Sequence, residues 1–164
     1  MILSKILKSL DTFIQNPNKG LPEELFLYIS TIIPMVNVDL LIQNEKSETL
    51  LAWRDDPYCG TGWHIPGGML RIDETLMNRV NEVIKTEIFT KKIRVEYIRD
   101  IIETIIPNLK YRRHGVSIVY QCSMDSCAKL KNENKKENEV GYLKWFSECP
   151  ENLLECQSQY RKFF

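Results

Sequence analysis

The segment that most restricts this chain is Trp63-His-Ile-Pro-Gly-Gly-Met-Leu-Arg-Ile-Asp-Glu74. Two adjacent glycines allow close backbone approach and dihedral angles that other residues resist, and Pro66 stiffens the entry to the bend. Directly after it, Leu76, Val80, Val83, Ile84 and Ile88 fall on one face at helical spacing, which predicts a helix over 74–88. A rigid bend therefore delivers the chain from an extended segment into a helix. A backbone carbonyl held at such a bend can ligate a hard cation, and a carboxylate on the following helix can complete the site. Glu74 stands where the positive end of the helix dipole favours an acid.

The flanking pattern is mixed. Ile2, Leu3, Ile6, Leu7, Leu10, Phe13 and Ile14 form one helical stripe, ended by Asn16-Pro-Asn-Lys-Gly20, and a second helix is expected from Pro22, with Glu23 and Glu24 in its first turn. The stripe packs on the body or meets a partner helix in a dimer. Strands are expected at 35–43, 49–53, 92–97, 100–106, 116–122 and 143–146. Residues 54–62 and the Lys-, Asn- and Glu-dense stretch 125–141 read as loops, and 151–164 as a closing helix. Strands mixed with a few helices predict an α/β or α+β sandwich.

The 164 residues suit one domain with at most one appended arm. Lys plus Arg total 22 and Asp plus Glu total 22, so the net charge is zero; without a basic excess, a generic nucleic-acid binder is not expected. Five cysteines with no Cys-x-x-Cys pair, and two histidines, leave few ligands for a structural zinc. Reduced thiols and a cytoplasmic location are the simplest expectation. The first residues lack a long apolar run and a small-residue cleavage site. The most apolar stretch, 25–42, is broken by Pro34, Asn37 and Asp39, so neither a signal peptide nor a membrane span is expected.

The glycine bend and the helix after it resemble the Nudix box, the signature of the Nudix hydrolases: Gly, five residues, Glu, seven residues, then Arg-Glu-apolar-x-Glu-Glu-x-Gly. Gly68 and Glu74 fit its first half, and Arg54, Pro57, Gly60 or Gly62, Trp63 and Pro66-Gly67-Gly68 fit the approach to it. The resemblance implies a Nudix-type α/β/α sandwich with a mixed β-sheet, divided into an N-terminal helical extension, 1–21, and a Nudix domain, 22–164. In the second half the Arg position holds Glu82, the next Glu position Val83, the paired Glu positions Thr86 and Glu87, and the Gly position Phe89. One usual metal carboxylate, Glu87, is retained. Hard oxygen ligands favour a single Mg²⁺ or Mn²⁺.

A box with one glutamate in its late pair is similar to that of the GDP-mannose mannosyl hydrolase branch. Glu24-x-Phe26, the strand from Ile33 to Asn44 with Asp39, Arg54, His114–Tyr120, Glu139–Trp145 and Tyr160–Phe164 resemble stretches of that branch. The resemblance implies cleavage at the sugar C1 carbon, releasing GDP and hexose, and a homodimer. It implies a metal site of the Gly67 carbonyl, Glu87 and Glu139. Arg54 would act on the diphosphate, and Phe26, Asp39, Arg71 and His114 would contact substrate. The branch's catalytic His position holds Val140, leaving Glu137 or Glu139 as base, with His64 and His114 as the other candidates; the position of an arginine after its Gly-Gly pair holds Met69, with Arg71 two residues on. Two further readings stay open: attack on phosphorus within a diphosphate, and a nucleotide-binding module without catalysis. The basic run Lys110-Tyr-Arg-Arg-His114 is either a solvated hairpin or a phosphate contact that replaces the lost arginines.

Overall fold

The computed structural model describes residues 2–90 and 92–164. Its elements are α1 (Ile2–Phe13), α2 (Glu23–Ile29), β1 (Met35–Gln43), β2 (Thr49–Asp56), β3 (Gly60–His64), β4 (Gly67–Met69), α3 (Leu76–Val83), β5 (Arg94–Ile105), β6 (His114–Ser123), β7 (Leu143–Phe146) and a carboxy-terminal 3₁₀ helix (Glu155–Phe163). The sheet runs β3-β2-β1-β6-β5, with β4 also on β1 and β7 also on β2. β1 and β6 are parallel from Met35↔Gly115 to Gln43↔Ser123 and the other pairs are antiparallel, so the sheet is mixed, as expected.

β1 is apolar almost throughout because it is covered on both faces. Val38, Leu40 and Ile42 pack with Val80, Val83 and Ile88 under α3. Leu41 packs on the opposite side with Leu51, Trp53, Trp63, Ile65, Leu153 and Tyr160, beneath the carboxy-terminal segment. The expected three-layer α/β/α sandwich is the observed one.

One departure from ladder order shapes the molecule. β1 and β2 are in register only at Gln43↔Thr49, after which β2 leaves to pair with β3 and β7. β4 takes the vacated edge of β1, with Asp39 opposite Gly67 and Asn37 opposite Met69. Leu40 N–H donates to the Pro66 carbonyl (2.9 Å) and Leu70 N–H to the Val36 carbonyl (2.9 Å). This phase makes Asp39–Gly67 a non-hydrogen-bonded pair, the kind that brings backbones closest and turns the N–H and C=O of Gly67 away from β1.

Several local expectations are corrected. Residues 54–62 form a hairpin instead of a loop: β2 continues to Asp56 and β3 starts at Gly60, because Asp56 Oδ1 accepts from the N–H groups of Tyr58 (2.8 Å) and Cys59 (3.0 Å) and closes a tight turn. The strands expected at 92–97 and 100–106 are a single strand, β5, bulged between Val95 and Tyr97 and between Ile98 and Asp100; the bulges break the alternation that makes it look like two. The helix starts later than expected, at Leu76, capped by Thr75, whose Oγ1 accepts from Asn78 N–H (3.1 Å), and Ile84–Ile88 widens into a π turn. The closing helix is a shorter 3₁₀ helix with a break at Gln157.

Phe89 ends the π turn in the left-handed region, φ 59°, its N–H donating to the Ile84 carbonyl (2.7 Å). A β-carbon is strained there, so glycine is the natural residue at this box position. Lys131 Nζ lies 3.3 Å from the ring centroid of Phe89 and offsets part of that cost. Phe89→Gly is expected to stabilise the fold by about 1 kcal/mol, read as a higher denaturation midpoint in urea.

α1 buries none of its residues, and Ile2, Leu3, Ile6, Leu7 and Phe13 are exposed. Removal of residues 1–19 is therefore expected to move the melting temperature of the rest by no more than about 2 °C in a thermal scan.

Candidate active site

The bend 66–68 is held from both sides. A β-carbon on Gly67 would stand 1.8 Å from Asp39 Oδ1, so no other residue fits opposite this buried acid. One on Gly68 would meet Val83 Cγ2 at 3.2 Å and Arg79 Cδ at 3.3 Å, where α3 packs down. Glu74 locks the loop to the helix: it accepts from Arg71 N–H (2.9 Å), Arg79 Nε (2.8 Å) and Arg79 Nη2 (2.8 Å). Its partner, Arg79, lies three positions before the box's usual arginine and went unrecognised in the sequence. Glu82, in that arginine's place, is half exposed and pairs with Lys85 (3.1 Å) on the surface.

An open cleft of about 440 Å³ lies beside the bend. Its lining brings together Phe26, Asp39, Arg54, Gly67 and Arg71 of the sequence-predicted residues, with Asp56, Arg112, Ser117 and Tyr160. The elements converge because β1, β4 and β6 share one face there, while β2 splays outward and carries Arg54 and Asp56.

The charges of the cleft are arranged, not merely present. Asp56 is 4% exposed, and its Oδ2 accepts from Arg54 Nη2 (3.0 Å) and Arg112 Nη1 (2.8 Å). Burial alone would raise its pKa, but the Arg112 guanidinium and the N–H groups of Tyr58 and Cys59 outweigh burial and hold it below the ordinary carboxylate value. One acid thus fixes two guanidiniums side by side at the cleft. Arg112, from the basic run before β6, comes by way of a turn in which it has φ 54° and its N–H donates to Ser30 Oγ (3.0 Å). Of the two readings of that run, Arg112 follows the one that turns toward the cleft.

A second group is acidic and largely sheltered from water. Asp39 is 6% exposed, accepts from the Tyr160 hydroxyl, and burial pushes its pKa upward. Burial raises the Glu87 carboxyl to about 7, opposed by Arg54 and by the Gly67 N–H that donates to it. Asp39 is close enough to raise it further. His64 Nε2 stands 4.0 Å from Glu87 Oε2 but does not neutralise it, because burial drives the imidazole pKa down to about 3. Its Nδ1 lies 2.9 Å from the Ile65 carbonyl.

This donor set fits one hard divalent cation. Two carboxylates with raised pKa values, Asp39 buried and Glu87 partly exposed, sit near Gly67, whose carbonyl lies outside the β1–β4 ladder. No group of three or more His, Cys, Asp or Glu side chains converges among the described residues. Few protein oxygens, with water and substrate completing the shell, is the coordination habit of Mg²⁺.

The other predicted residues lie elsewhere. Glu137 pairs with Lys144 Nζ (2.5 Å), and Glu139 sits on the exposed 125–141 loop; neither lines the cleft. His114 Nε2 is 3.0 Å from Glu103 Oε1, while its neighbour Gly115 lines the cleft. Asp56, Cys59 and Cys156 line it without any signal in the sequence, while Tyr160, marked there only as part of the stretch 160–164, lines it as well.

No family model matches the chain, and no curated protein does. Solved structures do. The MutT protein of Methanosarcina mazei Go1 superposes with a TM-score of 0.61 at 23% identity, over 80% of this chain and 91% of that one. The MutT NUDIX hydrolase of Burkholderia pseudomallei gives 0.59 at 20% identity, over 79% and 97%. The NUDIX domain of Shewanella oneidensis NrtR, complexed with ADP ribose, gives 0.52 at 18% identity, over 77% and 83%. The chain has the fold of the Nudix hydrolases.

Asp56 makes the cleft's charge pattern testable. Its folded-state pKa is depressed, so its contribution to stability is fully present above the ordinary value of 3.8 and is lost as pH falls below that value and through the lower, folded-state one. Asp56→Asn is expected to cost about 1–3 kcal/mol at pH 7. In urea titrations that difference from the parent should narrow steadily below about pH 4.

Proposed function

We propose that this chain is a Mg²⁺-dependent Nudix hydrolase, with Mn²⁺ as a substitute, acting on a nucleoside-diphosphate sugar in the manner of the GDP-mannose mannosyl hydrolases. The observation that carries this reading is the pair of guanidiniums, Arg54 and Arg112, fixed on buried Asp56 in the same cleft as Asp39 and Gly67 and beside Glu87. Two fixed guanidiniums suit a diphosphate, which offers several oxygens in bidentate geometry. Glu87 and the Gly67 carbonyl would hold the cation, which neutralises diphosphate charge when bound. Phe26 offers an apolar contact to the base, and Arg71 adds a third guanidinium.

The sugar-nucleotide class, and GDP-mannose within it, rests on the likeness of Phe26, Asp39, Arg54 and the strand from His114 to the mannosyl hydrolase branch. The ADP ribose bound by the NrtR NUDIX domain, a structural neighbour, belongs to the same class of compound. Glu139 and Glu137 are the proposed loop carboxylates, Glu139 as a third ligand and either as base, and His114 is a proposed substrate contact. A homodimer and a cytoplasmic site of action go with this reading. Among the described residues no helix is long and apolar enough to cross a membrane.

A second reading has its own support. Glu87 alone remains of the box's usual metal-binding carboxylates, Thr86 donates its hydroxyl to the Glu82 carbonyl (2.7 Å), and Val140 is exposed where a base is expected. A nucleotide-binding module without turnover would need no more than the cleft provides.

Incubation with GDP-mannose, GDP-glucose and ADP ribose in Mg²⁺, followed by product analysis, separates the readings. Free hexose plus nucleoside diphosphate is expected. A sugar phosphate plus nucleoside monophosphate places the attack on phosphorus instead, and calorimetric binding without products supports the module. Glu87→Gln should lower kcat/KM by about 100-fold or more, since even the partners of metal ligands are worth about 10–100-fold. Absence of both turnover and binding across the panel would overturn the proposal.

A further inference from the structure

Two of the five cysteines meet in the wall of the cleft. Cys59 occupies the β2–β3 turn and Cys156 the start of the carboxy-terminal 3₁₀ helix, 97 positions later in the chain, and both line the cleft. Their side chains face each other closely enough for each thiol to shift the other's ionisation.

The frame around them is well tied. Trp63 N–H donates to the Asn152 carbonyl (3.0 Å) and Leu154 N–H to the Trp63 carbonyl (2.9 Å). Ile65 N–H donates to Gln157 Oε1 (2.7 Å), and a β-carbon at Gly62 would stand 2.3 Å from the Asn152 carbonyl oxygen. The turn holding Cys59 is itself closed by Asp56. The two thiols are therefore carried to the same wall of the cleft by segments already fixed to one another.

The chain's other thiols differ. Cys122 is fully buried in the core under α3, and burial pushes its thiol up to about 12. Cys127 is exposed on the 125–141 loop, and its hydrogen bond to Asp125 raises it. Cys149 contacts Arg161 Nη1 (3.6 Å) and the Pro150 carbonyl (3.7 Å). At Cys59 the neighbouring Cys156 thiol lowers the pKa against burial and the nearby Asp56 carboxylate, and Arg112 and Arg54 also favour the thiolate. Cys59 is thus the better nucleophile of the pair.

We infer that Cys59 and Cys156 form a peroxide-reactive dithiol that closes to a reversible disulfide and staples the carboxy-terminal helix to the β2–β3 turn at the wall of the cleft. The Cys59 thiolate, its proton lost to water, attacks one oxygen of hydrogen peroxide, giving sulfenic acid at Cys59 and, once the departing hydroxide takes up a proton, water. The Cys156 sulfur then attacks the Cys59 sulfur; the S–O bond breaks, the thiol proton leaves with the hydroxide as a second water, and the S–S bond forms. Two thiols lose two electrons and one peroxide is reduced to two waters. An external dithiol reverses the change. This site stands independently of the hydrolase reading.

The test uses the full reduced chain, treated with stoichiometric hydrogen peroxide, blocked with N-ethylmaleimide and mapped by peptide mass spectrometry. The expected result is loss of two of the five reactive thiols, a linked peptide pair carrying Cys59 and Cys156, and recovery of both thiols with dithiothreitol. The oxidised form should melt higher, because the bond closes a loop of about 100 residues in the unfolded chain. Cys59→Ser and Cys156→Ser should each abolish the linked pair, whereas a Cys127→Ser, Cys149→Ser double variant should keep it. Five thiols still reactive after peroxide, a different linked pair, or a Cys59–Cys156 link found only in urea would overturn the inference.

Discussion

The contact on which the molecule turns is the pairing of Gly67 with Asp39. A buried acid on a central strand leaves room opposite it for a backbone and nothing more. That demand fixes a glycine, and the glycine fixes β4 on the edge of β1 that β2 has given up. Everything at the cleft follows from this displacement. β2 is free to carry Arg54 and Asp56 outward, the Gly67 N–H reaches the Glu87 carboxylate, and α3 settles on Gly68 with Glu74 and Arg79 as its latch.

The cleft places charge of both signs at short range and keeps each sign in order by a different device. The guanidiniums are ordered by a buried acid that pairs with both, which keeps them from repelling each other apart. The acids are left short of counter-charge: burial raises Glu87 and Asp39, and the adjacent imidazole is itself driven neutral. A site with unsatisfied negative charge next to fixed positive charge is prepared for a cation and an anion together, which is what a metal-bound diphosphate is. The box departs from its pattern both at the surface, at Glu82 and Thr86, and in the core, where Val83 is buried on the inner face of α3, while Glu87, Gly67 and Gly68 retain contacts that the fold itself needs.

Local pattern and tertiary packing left different marks. The helical stripes of α1 and α3, the glycine bend and β1 were readable because each is set by residues a few positions apart. The three-layer class was legible too, through the resemblance of the glycine bend and the helix after it to the Nudix box. The β2–β3 hairpin was not, since a side chain, Asp56, closes its turn and the Pro, Gly and Thr around it resemble any loop. β5 was split because two bulges interrupt its alternation. Phe89 was visible as an odd residue at a glycine position, but only its left-handed backbone explains why glycine belongs there.

By itself, the order of residues determined the bend, the helix that follows it, the single late glutamate and the arginine at 54, because these lie within one short stretch with one local geometry. Only the tertiary structure decided that Arg112 joins Arg54 on Asp56, that Tyr160 closes over Asp39, that Arg79 takes the latch position on Glu74, and that Cys59 faces Cys156. All but the Glu74–Arg79 pair span tens of residues, and their partners are chosen by how the sheet splays and where the carboxy-terminal segment crosses it. Spacing along the chain carries no record of that choice.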